Sequence, residues 1–177
     1  MVSPKLNPEK ALIFRIVHIK NIPWMLDNAI HSQNSKKQDP NYIQIGNPEL
    51  ILKRKNRPVD TAPGGVLGDY IPFYFTPYSM MMFNIITGHN VAMQKKEDLV
   101  ILVSSMHKIA ENKIPFLFTN QHGYLSDTIY YNDLSKLDDI DWQILRMRDF
   151  KYDVDDPAKQ ARYQAEALVI MNYPKSL

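Results

Sequence analysis

The chain of 177 residues is 45% hydrophobic and 23% charged, close to globular averages, which excludes global disorder and makes a single domain over 1–177 the expectation. Its 21 basic and 19 acidic residues leave a net charge of +2, a balance that argues neither for nor against a nucleic-acid partner. The absence of cysteine excludes disulfides, Cys-ligated metals and thiol nucleophiles, and fits a reducing compartment.

No apolar run approaches the roughly 18 residues that cross a bilayer. The N-terminal stretch from Met1 to Lys10 lacks the apolar core of a signal peptide, so a cytoplasmic protein is expected. Residues 12–18 (Leu-Ile-Phe-Arg-Ile-Val-His) read as a strand, β-branched and aromatic. Alternation places Phe14, Ile16 and His18 on one face and Ile13, Arg15 and Val17 on the other; both faces are mostly apolar, so an interior strand is predicted. Asn21 as N-cap and Pro23 in the first turn open a short helix with an apolar stripe to Ile30. The polar stretch 31–42 reads as a mobile loop. Asn47-Pro48-Glu49 opens a second helix through about Lys55, and 57–65, with two prolines and two glycines, is loop. Between 34 and 65 six basic residues oppose three acidic ones, a local +3 that exceeds the charge of the whole chain. On charge alone this is a solvated basic loop.

Residues 70–75 form an aromatic strand that Pro72 pushes toward an edge or a bulge. Ser79 caps a Met-rich helix to about Thr87, and 99–103 and 114–119 are apolar strands. Gln121-His122-Gly123 makes the turn after the latter, and 120–138 reads as a long surface segment. A helix covers 140–148, Asp155-Asp156-Pro157 opens another toward Tyr163, and 164–171 is a strand. The helices are too short and the loops too long for regular βαβ winding, so the class is mixed α+β.

Few residues carry chemistry by type and place alone. Glu166 shares a strand face with Leu168 and Ile170. It is either an edge glutamate reaching water or a core carboxylate that needs a partner. His18 by itself reads as a hydrogen-bonded core histidine, Arg54 as surface charge, and Tyr70, Tyr74 and Tyr78 as packing residues. Walker, G-x-G-x-x-G, H-E-x-x-H and G-x-S-x-G patterns are all missing. The aspartates at 138–141 and 153–156 fit helix N-terminal acids better than a divalent-metal site. Composition and spacing leave the function open.

The ordered set of motifs is more specific than any one of them. It comprises Phe14-Arg15-Ile16-Val17-His18, Asn21-Ile22-Pro23-Trp24, Ile45-Gly46-Asn47-Pro48-Glu49-Leu50, Lys53-Arg54 and Gly64-Gly65-Val66-Leu67. It continues with Asp69-Tyr70-Ile71-Pro72-Phe73-Tyr74-Phe75-Thr76-Pro77, Pro115-Phe116-Leu117-Phe118-Thr119, Asp141-Trp142 and Tyr163-Gln164-Ala165-Glu166-Ala167-Leu168. From about residue 8 to 171 the chain resembles the DarT family of DNA ADP-ribosyltransferase toxins. The resemblance implies the ADP-ribosyltransferase fold, a split, twisted mixed β-sheet with short flanking helices and an NAD cleft. It implies transfer of ADP-ribose from NAD, consumed as a substrate without a metal, to a base of single-stranded DNA, typically thymine.

By the same resemblance Glu166 and Arg54 match the family's catalytic residues. Arg15, His18, Asn21, Arg54, Tyr74 and Met81 are expected to contact NAD, with the 34–65 loop closing over it. Tyr124, Tyr130, Tyr131, Arg148 and Gln164 are expected to meet the DNA strand, the tyrosines by stacking on bases. A macrodomain antitoxin is the implied partner, in the bacterial cytoplasm, with no membrane contact and a monomeric toxin. Arg15, Gly68 and Met80 stand where many relatives carry histidine, histidine and proline. Relatives usually continue for a few dozen residues, so the family's C-terminal strand region is expected to be lacking. The same fold acting on protein or RNA, and an NAD- or DNA-binding module without turnover, are the competing readings.

Overall fold

A computed structural model describes residues 6–171. Six strands form one sheet: β1 (Leu12–His18), β2 (Ile71–Tyr74), β3 (Leu99–Ser105), β4 (Phe116–Thr119), β5 (Tyr130–Tyr131) and β6 (Glu166–Val169). Their spatial order is β3-β1-β2-β6-β4-β5. Every pairing is antiparallel rather than mixed in direction. The α+β class stands, with α1 (Ile22–Asn28), α2 (Pro48–Lys55), α3 (Met80–Thr87), α4 (Met106–Glu111), α5 (Trp142–Met147) and α6 (Lys159–Arg162) flanking the sheet.

The sheet is thinnest where β1 meets β2. Strands β1 and β3 share seven register pairs, whereas β1 and β2 share one, Phe14↔Tyr74. This thin joint explains why Pro72 occupies an interior strand rather than the predicted edge. The N–H and C=O of a strand residue point to the same side. The Pro72 carbonyl accepts the Arg15 guanidinium at 2.8 Å, so the donor that proline lacks faces the joint, where no ladder runs.

Local chemistry sets the helix starts. Asn47 Oδ1 accepts the Leu50 N–H at 3.0 Å, and Ser79 Oγ accepts that of Met82 at 3.2 Å. Gly88 closes α3 in the left-handed conformation. Asn21 departs from its predicted capping role. Its amide exchanges two 2.9 Å hydrogen bonds with the Ile43 backbone. Together with Asn34, whose N–H donates to the Gly68 carbonyl at 3.0 Å, it pins the 31–42 segment that reads as mobile from composition. Gly68 is required there, because a Cβ would lie 2.5 Å from the Lys55 carbonyl and 2.7 Å from the Asn34 amide.

The main core lies on one face of the sheet, around Ile13, Phe73, Phe75, Phe118, Trp142 and Val169. The other face carries a smaller cluster of Val59, Leu67, Tyr70, Leu117 and Leu168. All of β6 is buried, as an interior strand must be. Its alternation sends Ala167 and Val169 into the main core, and Glu166 and Leu168 to the less densely covered face. That face is where space for a ligand remains.

Candidate active site

Glu166 is 3% exposed and held on every side. Arg54, from the last turn of α2, grips it with two hydrogen bonds, Nη1 to Oε1 at 2.8 Å and Nη2 to Oε2 at 2.7 Å. The Gly123 N–H donates to Oε1 at 2.7 Å. The Glu166 N–H donates to the Thr119 hydroxyl at 3.1 Å, which itself donates to the Gln121 carbonyl at 2.6 Å. A Cβ at Gly123 would stand 2.8 Å from Glu166 Oε1, so any larger residue forces the carboxylate or the turn to shift.

Burial alone would push the Glu166 carboxyl up. The charge and paired hydrogen bonds of Arg54 outweigh it, aided by His122 and the Gly123 N–H, and hold the carboxyl below its ordinary value. A fixed anion therefore sits at the floor of the site. Tyr74 is its register partner across β2 and β6, so the two side chains leave the sheet on the same face. Burial, then the neighbouring Glu166 charge, pushes the Tyr74 phenol up to about 12, which keeps it a proton donor. His122 is pushed down by burial and stays neutral. Its Nδ1 accepts the Tyr124 N–H at 3.1 Å, which leaves the ring proton on Nε2.

Above this floor opens a cavity of about 370 Å³, in the size range of small-molecule sites. Arg15, Arg54, Tyr74, Met81, Gln164 and Glu166 all line it, as do residues of the 38–51 segment. The side chains expected to act in catalysis or to hold NAD thus converge here from β1, α2, β2, α3 and β6, with the exception of His18 and Asn21. Arg15 Nε is buried with no partner among the described residues, an unsatisfied donor at the cavity wall.

Neither His18 nor Asn21 is among the residues that line the cavity. His18 shares its β1 face with Phe14, the register partner of Tyr74, yet it does not line the cavity. It is buried outside the cavity lining, and its Nδ1 accepts the Lys20 N–H at 3.2 Å. Asn21 is likewise outside the lining and is used by Ile43.

The expected DNA residues divide in the same way. Tyr131 is stacked on Phe118 at 5.2 Å and packs against the main core, so one of its ring faces is taken. The Tyr130 hydroxyl donates to the Gly123 carbonyl. Gln164 lines the cavity itself, with its amide donating to the Gln160 carbonyl at 3.1 Å. Arg148, left-handed at φ 56°, lies 3.6 Å over the Tyr78 ring. Tyr124 is half-buried beneath the Arg57 guanidinium, 5.6 Å from its ring centre. Arg57, His122, Gly123 and Thr119 are site residues that the sequence does not single out. Gln121-His122-Gly123 is recognisable as a turn, but nothing local to it indicates a carboxylate 43 residues away.

Among the described residues no group of three or more His, Cys, Asp or Glu is placed to hold a metal, and no helix is long and apolar enough to cross a membrane.

Comparison with known proteins identifies the arrangement. The family described as "ssDNA thymidine ADP-ribosyltransferase, DarT" matches residues 14–177. The chain is 54% identical over 176 residues to a DNA ADP-ribosyl transferase of Escherichia coli O127:H6, covering 99% of this chain and 81% of that protein. Thermus sp. 2.9 DarT in complex with ADP-ribosylated single-stranded DNA superposes with a TM-score of 0.82 at 31% identity, over 96% of this chain and 78% of that one. The same Thermus protein in complex with NAD+ gives 0.75 at 32% identity, over 92% and 76%. The family match, the 54% identical relative and the superposed sheet agree with what the motif order implied: the chain belongs to the DarT family of single-stranded-DNA thymidine ADP-ribosyltransferases.

Proposed function

We propose that the cavity binds NAD with its nicotinamide ribose toward Glu166, and that the protein transfers ADP-ribose to a thymine of single-stranded DNA. The observation that carries this reading is the ionised Glu166, fixed by Arg54 and Gly123 at the cavity floor. As the glycosidic bond to nicotinamide breaks, positive charge develops on the ribose, the problem that glycosidases meet with carboxylates. A preorganised anion stabilises that charge without reorganising. The bond from the ribose carbon to nicotinamide breaks, one to a thymine ring nitrogen forms, the proton of that nitrogen passes to solvent water, and neutral nicotinamide leaves.

Arg54 orients Glu166 and adds a cation beside the NAD phosphates or the base losing its proton. Arg15 supplies its unsatisfied Nε–H to NAD, and Tyr74 and Met81 shape the nicotinamide end. Tyr124, with Arg57 over its ring, offers the acceptor strand a stacking face and an adjacent cation. Arg148 and the exposed ring of Tyr78 beneath it form a second such pair. The two complexes of the Thermus protein, with NAD+ and with ADP-ribosylated DNA, support the choice of both substrates. Family membership supports a monomeric, single-domain toxin in the bacterial cytoplasm, countered by a macrodomain antitoxin.

The test is mass spectrometry of a thymine-containing single-stranded oligonucleotide incubated with the protein and NAD, beside Glu166→Gln. A gain of one ADP-ribose, absent with the variant, is expected. Labelling of RNA or protein instead, or NAD binding without nicotinamide release, would replace this reading by one of its two competitors.

A further inference from the structure

Glu166 is useful only if its oxygens point into the cavity while Arg54 pulls on both of them. The main chain at 123 supplies the third hold, and its peptide is fixed on the His122 side, where the carbonyl accepts the Thr128 hydroxyl at 2.7 Å and the His122 N–H donates to the Ala161 carbonyl at 3.0 Å. Gly123 lies in an irregular turn between β4 and β5 and has no side chain to pack; a Cβ would meet Glu166 Oε1 at 2.8 Å. The following peptide, which starts at the Gly123 carbonyl, needs its own hold for the turn to stay aimed. The Tyr130 hydroxyl donates to the Gly123 carbonyl, so the residue is held at its C=O while its N–H holds the carboxylate at 2.7 Å. Tyr130 is in turn the register partner of Thr119, whose hydroxyl accepts the Glu166 N–H at 3.1 Å. A two-residue strand, β5, thus closes a ring of contacts around the reacting carboxylate.

We infer that Tyr130 is a positioning residue for Glu166, acting through the Gly123 main chain, and not a base-stacking residue. The inference rests on the reading of Glu166 given above. Burial, and after it the Glu166 charge, raises the Tyr130 phenol above its ordinary value, so it stays protonated and keeps donating at neutral pH. The two roles make opposite demands. Stacking uses the ring and is indifferent to the hydroxyl, whereas positioning needs the hydroxyl.

The discriminating variant is therefore Tyr130→Phe, which keeps the ring. With NAD and a thymine-containing oligonucleotide, kcat is expected to fall about ten-fold, the worth of one aimed hydrogen bond, with the KM for the oligonucleotide unchanged. The second readout needs no DNA. With only six glycines in the chain, selective 15N-glycine labelling resolves the Gly123 amide. Its proton is expected far downfield in the wild type, to lose that shift in Glu166→Gln, and to move upfield in Tyr130→Phe. Wild-type kcat with an unmoved Gly123 amide in Tyr130→Phe would overturn the assignment, as would an increase in oligonucleotide KM alone. If the wild type leaves DNA unmodified, the functional reading fails, and the amide shift still decides the role of Tyr130.

Discussion

Arg54 and Glu166 lie 112 residues apart in the chain and meet through two parallel hydrogen bonds of 2.8 and 2.7 Å. The pair couples stability to chemistry, because Glu166 is buried, Arg54 is mostly covered, and the carboxylate is not tolerable alone. Arg54→Met leaves a buried carboxylate unmatched, a loss of about 3 kcal/mol, and is expected to abolish transfer. The double variant Arg54→Met/Glu166→Leu removes both charges. It should recover most of the thermal stability and none of the activity, a contrast that melting curves and oligonucleotide mass spectrometry read directly.

Gly123→Ala tests the close approach at the catalytic carboxylate. The added methyl has to displace Glu166 Oε1 or the turn, at about 1–3 kcal/mol. The variant is expected to fold and bind NAD while transfer falls at least ten-fold. Isothermal titration with NAD, set beside kcat, separates the two effects.

Acidification should destabilise the protein in two stages. His122 titrates below its ordinary 6.5 in the folded state. The unfolded chain therefore takes up that proton first as pH falls through 6.5, and stability declines from there. Glu166 is also depressed, below 4.5, so its contribution is complete above that value and is lost as pH falls through the folded value. Thermal midpoints measured from about pH 8 to pH 4 should fall monotonically. His122→Gln should flatten the limb that begins near 6.5, and a midpoint that rises on acidification would contradict both assignments.

Arg57 makes no ion pair among the described residues and sits over Tyr124 beside the Gly123 turn. If it neutralises one phosphate of the acceptor strand, Arg57→Gln weakens oligonucleotide binding. It also lowers the slope of log affinity against log salt by about 0.7. NAD affinity is expected to be unchanged, and fluorescence anisotropy across a salt series measures the slope.

Arg15→Met removes the unsatisfied Nε donor from the cavity wall and the bond to the Pro72 carbonyl. NAD affinity should drop several-fold, with oligonucleotide affinity retained. His18→Gln, outside the cavity lining, should leave NAD affinity near the wild-type value, the reverse of what the family resemblance implied.

Elements governed by neighbours in sequence are legible from the residues alone. The strand at Leu12–His18 and the caps at Asn47 and Ser79 appear where side-chain alternation and N-cap chemistry place them. The face shared by Glu166 and Leu168 also follows from a period of two. Elements that depend on distant partners are not legible in this way. Helix α4 and the two-residue β5 have too few residues for a periodic signal. Asn21 reads as an N-cap because the amide of Ile43, which it binds instead, is 22 positions away.

What the sequence determined by itself is a set of local preferences and an ordered series of motifs specific enough to imply the family. They placed Glu166 on a strand and Arg54 near the end of a basic helix. Only the tertiary structure decided that these two charges neutralise each other, that Tyr131 is spent on the core, and that Tyr130 faces the Gly123 carbonyl. Such pairings turn on which strands become neighbours, a choice made by burial of the whole sheet. A carboxylate in that sheet keeps its charge only where a partner from elsewhere in the chain arrives to match it.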